Sequence, residues 1–87
     1  MNLKANQYHP PIVFHPGGTL EEKLEELGMD AQALAEATGL SEAEVSGILK
    51  GFVSITPDTA IRLEHVLGIP ARFWLKMQEA WDEFHVV

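Results

Sequence analysis

The sequence predicts an all-α domain: five short helices behind an irregular N-terminal arm. Two observations predict it. Apolar residues recur at three- and four-residue steps from Leu20 to Phe84, and helix-starting and helix-stopping residues alternate along the same span. A third, the shortness of the connections, fits a bundle of small helices and not an α/β enzyme fold.

The arm is residues 1–18. Pro10, Pro11, Pro16, Gly17 and Gly18 crowd together there, so no helix is expected in this stretch. Pro11-Ile12-Val13-Phe14 is apolar and β-branched, suited to an edge strand or an extended arm that meets a partner or packs across the last helix. The domain is residues 19–87. Thr19 and Glu22 have the form of a capping box, and Leu20, Leu24 and Leu27 give the first apolar stripe, ended by Gly28. Asp30 caps the second helix, whose stripe is Ala31, Leu34 and Ala35. Gly39 permits the turn that follows. Ser41 and Glu44 form another capping box, ahead of Val45, Ile48 and Leu49, and Gly51 ends that helix. Thr56-Pro57-Asp58 is a cap, a first-turn proline and an acid in order, followed by Ala60, Leu63, Val66 and Leu67. Pro70 opens the C-terminal helix, 70–85, with Phe73, Trp74, Met77, Ala80, Trp81 and Phe84.

Composition bounds the function. The chain has 87 residues, 46% hydrophobic and 22% charged, enough for one small core. Such a core supplies roughly 3–5 kcal/mol, so association with a partner chain is expected. Six Lys+Arg against thirteen Asp+Glu give a net charge of −7. That balance argues against a non-specific nucleic-acid coat or an anionic-membrane binder, since both need a positive surface. No cysteine is present, which removes disulfides, thiolate zinc sites and cysteine catalysis. No apolar run approaches a membrane span and no leader pattern opens the chain, so a soluble cytoplasmic protein is expected.

Residues 30–51 are helix, glycine-containing turn, helix. This is the form of a helix-turn-helix, in which Ala35 allows close approach and the second helix is held from behind by Val45 and Ile48. Its free face then suits a DNA major groove. The pattern alone leaves an ordinary helical pair equally open.

Three flanking motifs shift the balance: His15-Pro16-Gly17, Ile55-Thr56-Pro57-Asp58-Thr59-Ala60, and Phe73-Trp74-Leu75 with Gln78. In this order, over roughly residues 14–82, the sequence resembles the HigA-type antitoxins of the Xre/lambda-repressor-like superfamily. The resemblance implies a five-helix lambda-repressor-like DNA-binding domain. It further implies a homodimer that represses its own operator and neutralises a RelE-like, mRNA-cleaving toxin. It places DNA contacts at Gln32, Glu42, Ala43, Ser46, Gly47 and Lys50. The sequence departs from the family there. Ala31 stands where Gln is usual, Glu36 and Ala37 where basic residues are frequent, and Phe52-Val53-Ser54 where a Lys or Arg often meets phosphate. Residues 29–51 carry four acids (Asp30, Glu36, Glu42, Glu44) and one base, Lys50. Capping is the expected role of Glu44, and favourable placement at a helix start that of Glu42, ahead of the alternative that it accepts from a cytosine amino group. DNA binding that is weak, or dependent on a dimer or the toxin, is therefore expected. The alternatives are a protein-interaction module or a solitary Xre-type regulator with lost DNA binding.

Other chemistry is thinly represented. His9, His15, His65 and His85 show no metal-ligand spacing, and no metal or cofactor is expected. His15 is expected to orient the chain into the first helix. The glutamates of the first helix read as a solvated face, and no nucleophile triad or phosphate loop suggests an enzyme. On the C-terminal helix, Phe73 and Met77 are expected to seal the core. Trp74, Met77, Trp81 and Phe84 are the expected homodimer interface, because aromatics concentrate at buried interface centres. Phe52 is expected either to fold onto the core or to meet a protein.

Overall fold

The computed structural model describes residues 14–84. Among them are five helices and no strand: α1 Pro16–Leu27, α2 Ala31–Thr38, α3 Glu42–Leu49, α4 Pro57–Leu67 and α5 Ala71–Phe84. Helix α2 packs on α3, α4 on α5, and α1 on α3, with further contact of α2 with α4 and α1 with α5. None of these helices is long and apolar enough to cross a membrane. Ile12, Val13, His9, His85 and Val86 lie outside the described residues.

Start signals of three helices act as read. The Ala33 N–H donates to the Asp30 carboxylate (2.8 Å). In the capping box of α3, the Glu44 N–H donates to the Ser41 hydroxyl (3.0 Å) and the Ser41 N–H to the Glu44 carboxylate (3.4 Å). The Thr59 N–H donates to the Thr56 hydroxyl (3.2 Å), with Pro57 at the first helical position.

Helix α1 starts earlier than expected. Pro16, Gly17 and Gly18 are its first turn, and His15, not Thr19, is its cap: the Gly17 N–H donates to His15 Nδ1 (2.9 Å). A proline at the first helical position loses no bond, because that N–H has no intrahelical partner. Thr19 already lies inside the helix, where its hydroxyl donates weakly to Met77 Sδ (3.5 Å).

Eleven buried apolar residues make one core, drawn from every helix: Leu20, Leu24, Leu34, Ala35, Val45, Ile48, Ile55, Ala60, Leu63, Leu67 and Trp74. Leu27 ends the expected first stripe yet is 47% exposed, because it falls at the last residue of α1. The expected roles of Phe73 and Trp74 are exchanged. Phe73 is 51% exposed, whereas Trp74 is wholly buried and its indole N–H donates to the Ile69 carbonyl (3.2 Å). Trp74 is therefore a core residue with no surface to give a dimer interface. The stripe of α5 that faces inward runs through Trp74 and Gln78, one turn apart.

Candidate nucleic-acid interface

Thr38 of α2 and Arg62 of α4 hold the turn between α2 and α3. The Thr38 hydroxyl donates to the Leu34 carbonyl (2.7 Å) and accepts from the Leu40 N–H (3.3 Å). Gly39 sits at φ 80°, a left-handed conformation that favours glycine. Arg62 of α4 donates to the Thr38 carbonyl (2.8 Å) and to Asp58 (2.9 Å). A Cβ on Gly39 would stand 2.9 Å from that guanidinium, which would have to shift to admit it. Arg62 thus ties α4 to the end of α2, and its charge is already partnered.

Helix α3 is braced from behind. Val45 and Ile48 are 0% and 1% exposed. The Ile48 carbonyl lies against Gly17, where an added Cβ would collide with it, so α1 approaches α3 at backbone distance. Beyond the helix, the Phe52 and Val53 N–H groups both donate to the Gly47 carbonyl (2.8 and 3.1 Å). The Ile55 N–H donates to the Gln78 amide oxygen (2.8 Å), and the Gln78 amide nitrogen donates to Asp82 (2.9 Å). This buried Gln ties the loop after α3 to α5. Its motif was visible in the sequence, but its role was not. The signal was a polar residue one turn after Trp74 on an apolar helix, which a buried hydrogen bond explains.

The opposite face of α3 is open. Glu42, Ala43 and Glu44 are exposed, Ser46 is half-buried, and Lys50 is exposed at the C-cap. Gln32 is exposed in the first turn of α2. Gly47 is half-buried like Ser46, and a Cβ there would meet the Val53 side chain. Phe52 does not fold onto the core and is 83% exposed.

The charge of the face is as the sequence foretold. Glu36, Glu42 and Glu44 are exposed, and Lys50 is the single base of the segment. Lys23 is partnered with Glu26 (2.9 Å), and the Arg72 guanidinium sits 5.5 Å from the Phe73 ring centre. No group of three His, Asp or Glu among the described residues is placed to hold a metal ion.

At the base of the domain, His15 meets Trp81 edge-on (ring centres 5.2 Å apart, planes at 85°). Burial lowers the His15 imidazole below its ordinary range, opposed by the nearby Asp82 carboxylate. An open apolar cleft of about 530 Å³ lies where α1 meets α5, lined by Thr19, Ile69, Pro70, Phe73 and Met77 among others.

Two short helices joined through a left-handed glycine, the second braced behind and open in front, define a helix-turn-helix module of the lambda-repressor-like fold. The Helix-turn-helix family model matches residues 20–74. Virulence-associated protein I of Dichelobacter nodosus is 40% identical over 83 residues, spanning 94% of this chain and 76% of that one. An addiction module antidote protein of a HigA family from Coxiella burnetii is 43% identical, with a TM-score of 0.77 over 79% of this chain and 76% of its own. The Pseudomonas aeruginosa antitoxin HigA, solved with the higBA promoter, is 35% identical with a TM-score of 0.75, over 78% of this chain and 75% of its own. The chain belongs to the helix-turn-helix family, in its HigA-type antitoxin branch.

Proposed function

We propose that the chain is the antitoxin of a toxin–antitoxin pair, which binds its own operator as a homodimer and neutralises an mRNA-cleaving, RelE-like toxin in the cytoplasm. One observation carries the DNA reading. Helix α3 is rigidly capped, its rear stripe is sealed, and its first turn faces solvent. That arrangement suits insertion of its N-terminal residues into a major groove. The promoter-bound relative supports the same reading. Gln32, Glu42, Ala43, Ser46, Gly47 and Lys50 are the contacts assigned; the roles fall to binding, not to catalysis.

The affinity of one protomer is low on physical grounds. Most protein–DNA affinity comes from neutralising phosphates, and this face offers Lys50 against several exposed acids. Pairing two protomers, or adding a basic toxin, supplies the missing attraction. Fluorescence anisotropy on the chain's own upstream DNA tests this. The lone protein is expected to bind with a Kd on the order of micromolar and a shallow salt slope. Lys50→Ala flattens that slope by about one unit per protomer. The neighbouring toxin is expected to tighten binding. Tight, steeply salt-dependent binding by the lone protein would refute the weak-affinity reading, and no specific binding with or without the toxin would refute the operator reading.

Phe52 favours a second reading. An aromatic residue 83% exposed beside α3 suits a protein surface better than a phosphate. A module that meets only protein is the outcome to adopt if the titration finds no specific DNA site.

A further inference from the structure

Glu42 and Ala43 lie next to each other in the first turn of α3, and we propose that they read pyrimidine edges. Glu42 accepts from a cytosine amino group, and Ala43 packs on a thymine methyl. The inference rests on the reading that α3 enters the major groove, and it names what that helix selects there.

The argument is an inventory of donors. Guanine presents only acceptors, N7 and O6, to the major groove, so reading it takes a side-chain donor. The exposed first turn of α3 has none: Glu42 is acceptor-only when ionised, Ala43 is apolar, and the Glu44 carboxylate is engaged by the Ser41 N–H. The donors among the assigned contacts lie elsewhere: Gln32 on α2, Ser46 half-buried in the second turn, and Lys50 at the far end, about 12 Å along the axis from Glu42 at 1.5 Å per residue. Val45 and Ile48, both buried, lock the rotation of the helix, so Glu42 and Ala43 stay outward. Glu42 makes no hydrogen bond or ion pair with any described residue, so its carboxylate is available.

Each base edge then meets that carboxylate differently. Guanine N7 and O6 and thymine O4 present lone pairs and repel it. Adenine offers its N6 amino group, but the adjacent N7 repels the second carboxylate oxygen. Cytosine N4 offers a donor with no acceptor beside it in the groove. Ala43 contributes the complementary preference, because the thymine 5-methyl is the apolar group on a major-groove edge. Neither preference depends on net attraction. Both operate as discrimination within a weakly bound complex, where specificity is the difference between the bonded base and the repelled one.

Base analogues test this with the intact chain. The protein is first footprinted on its own upstream DNA, with the toxin present if needed. Anisotropy is then measured on duplexes carrying deoxyuridine at each protected thymine, which removes only the methyl. A second series carries N4-methylcytosine at each protected cytosine, which removes the hydrogen that points into the major groove. One thymine per half-site is expected at which deoxyuridine weakens binding about threefold to fivefold, the worth of one buried methyl. One cytosine is expected at which N4-methylation weakens it about tenfold. Ala43→Gly cancels the first effect and Glu42→Ala the second, each leaving the other in place. If either variant loses its helical circular dichroism, the analogue series on the unaltered chain decides alone. Specific binding that is indifferent to both analogues overturns the inference while the operator reading stands. The absence of any protected site overturns both.

Discussion

His15 combines three contacts in one imidazole. Its Nδ1 accepts the Gly17 N–H and caps α1, its ring stands nearly perpendicular to that of Trp81, and it lies near Asp82. Only the neutral ring can accept at Nδ1, and burial is the larger influence, so the folded protein holds the proton less readily than the unfolded chain. The unfolded state therefore takes up more protons near pH 6.5. The stability contributed by neutral His15 is present above about pH 6.5, is lost as pH falls below it, and levels off under the folded value. Thermal unfolding between pH 7 and pH 5 is expected to show a falling midpoint. His15→Asn, which still caps but does not titrate, should flatten that component; an unchanged pH slope in the variant would count against it. Position 74 shows how a residue-level reading went astray. Neighbouring positions on a helix are 100° apart, and an aromatic at both 73 and 74 fits two rival stripes. The inward one carries Gln78. Its amide is satisfied by the Ile55 N–H and Asp82, which is what lets it be buried.

At the scale of elements, α1 is the informative case. Pro-Gly-Gly is a poor helix sequence by propensity, yet it forms the first turn because His15 caps it and tertiary contact needs a bare backbone at Gly17. The two glycines differ in what surrounds them. An added Cβ at Gly17 would strike the Ile48 carbonyl, whereas at Gly18 nothing lies within 4 Å. Gly17→Ala is therefore expected to cost about 1–3 kcal/mol by forcing α1 off α3. Gly18→Ala should stabilise by up to about 1 kcal/mol through helix propensity. Chemical denaturation of the pair checks this, and equal effects at both sites would contradict the close approach. The same contact matters to function, since it fixes α3 from behind. Helices α2, α3 and α4 were legible from their caps because Asp30, Ser41 and Thr56 act locally, within three residues of the cap.

At the scale of the whole molecule, the core is complete within one chain, but α5 keeps an apolar outer face. Phe73 and Phe84 are 51% and 48% exposed, and Phe73 lines the cleft beside α1. A homodimer through this face, with Met77, Trp81 and Phe84 contributing and Trp74 excluded, is the proposed assembly. Light scattering is expected to give a dimer that Phe84→Glu shifts toward monomer with helical content intact. Trp74→Ala should instead unfold the protomer, losing about 3–5 kcal/mol. A dimer indifferent to Phe84→Glu would place the interface elsewhere. The acidic balance, the run of helices, the turn between α2 and α3 and the family were all determined by the sequence itself. Composition, caps and ordered motifs are properties of neighbouring residues. The start of α1, the approach of Val53 to Gly47, the exposure of Phe52 and the inward turn of Trp74 were decided only in three dimensions. Each depends on which distant backbone or side chain arrives at that spot, and helical periodicity carries no information about what arrives.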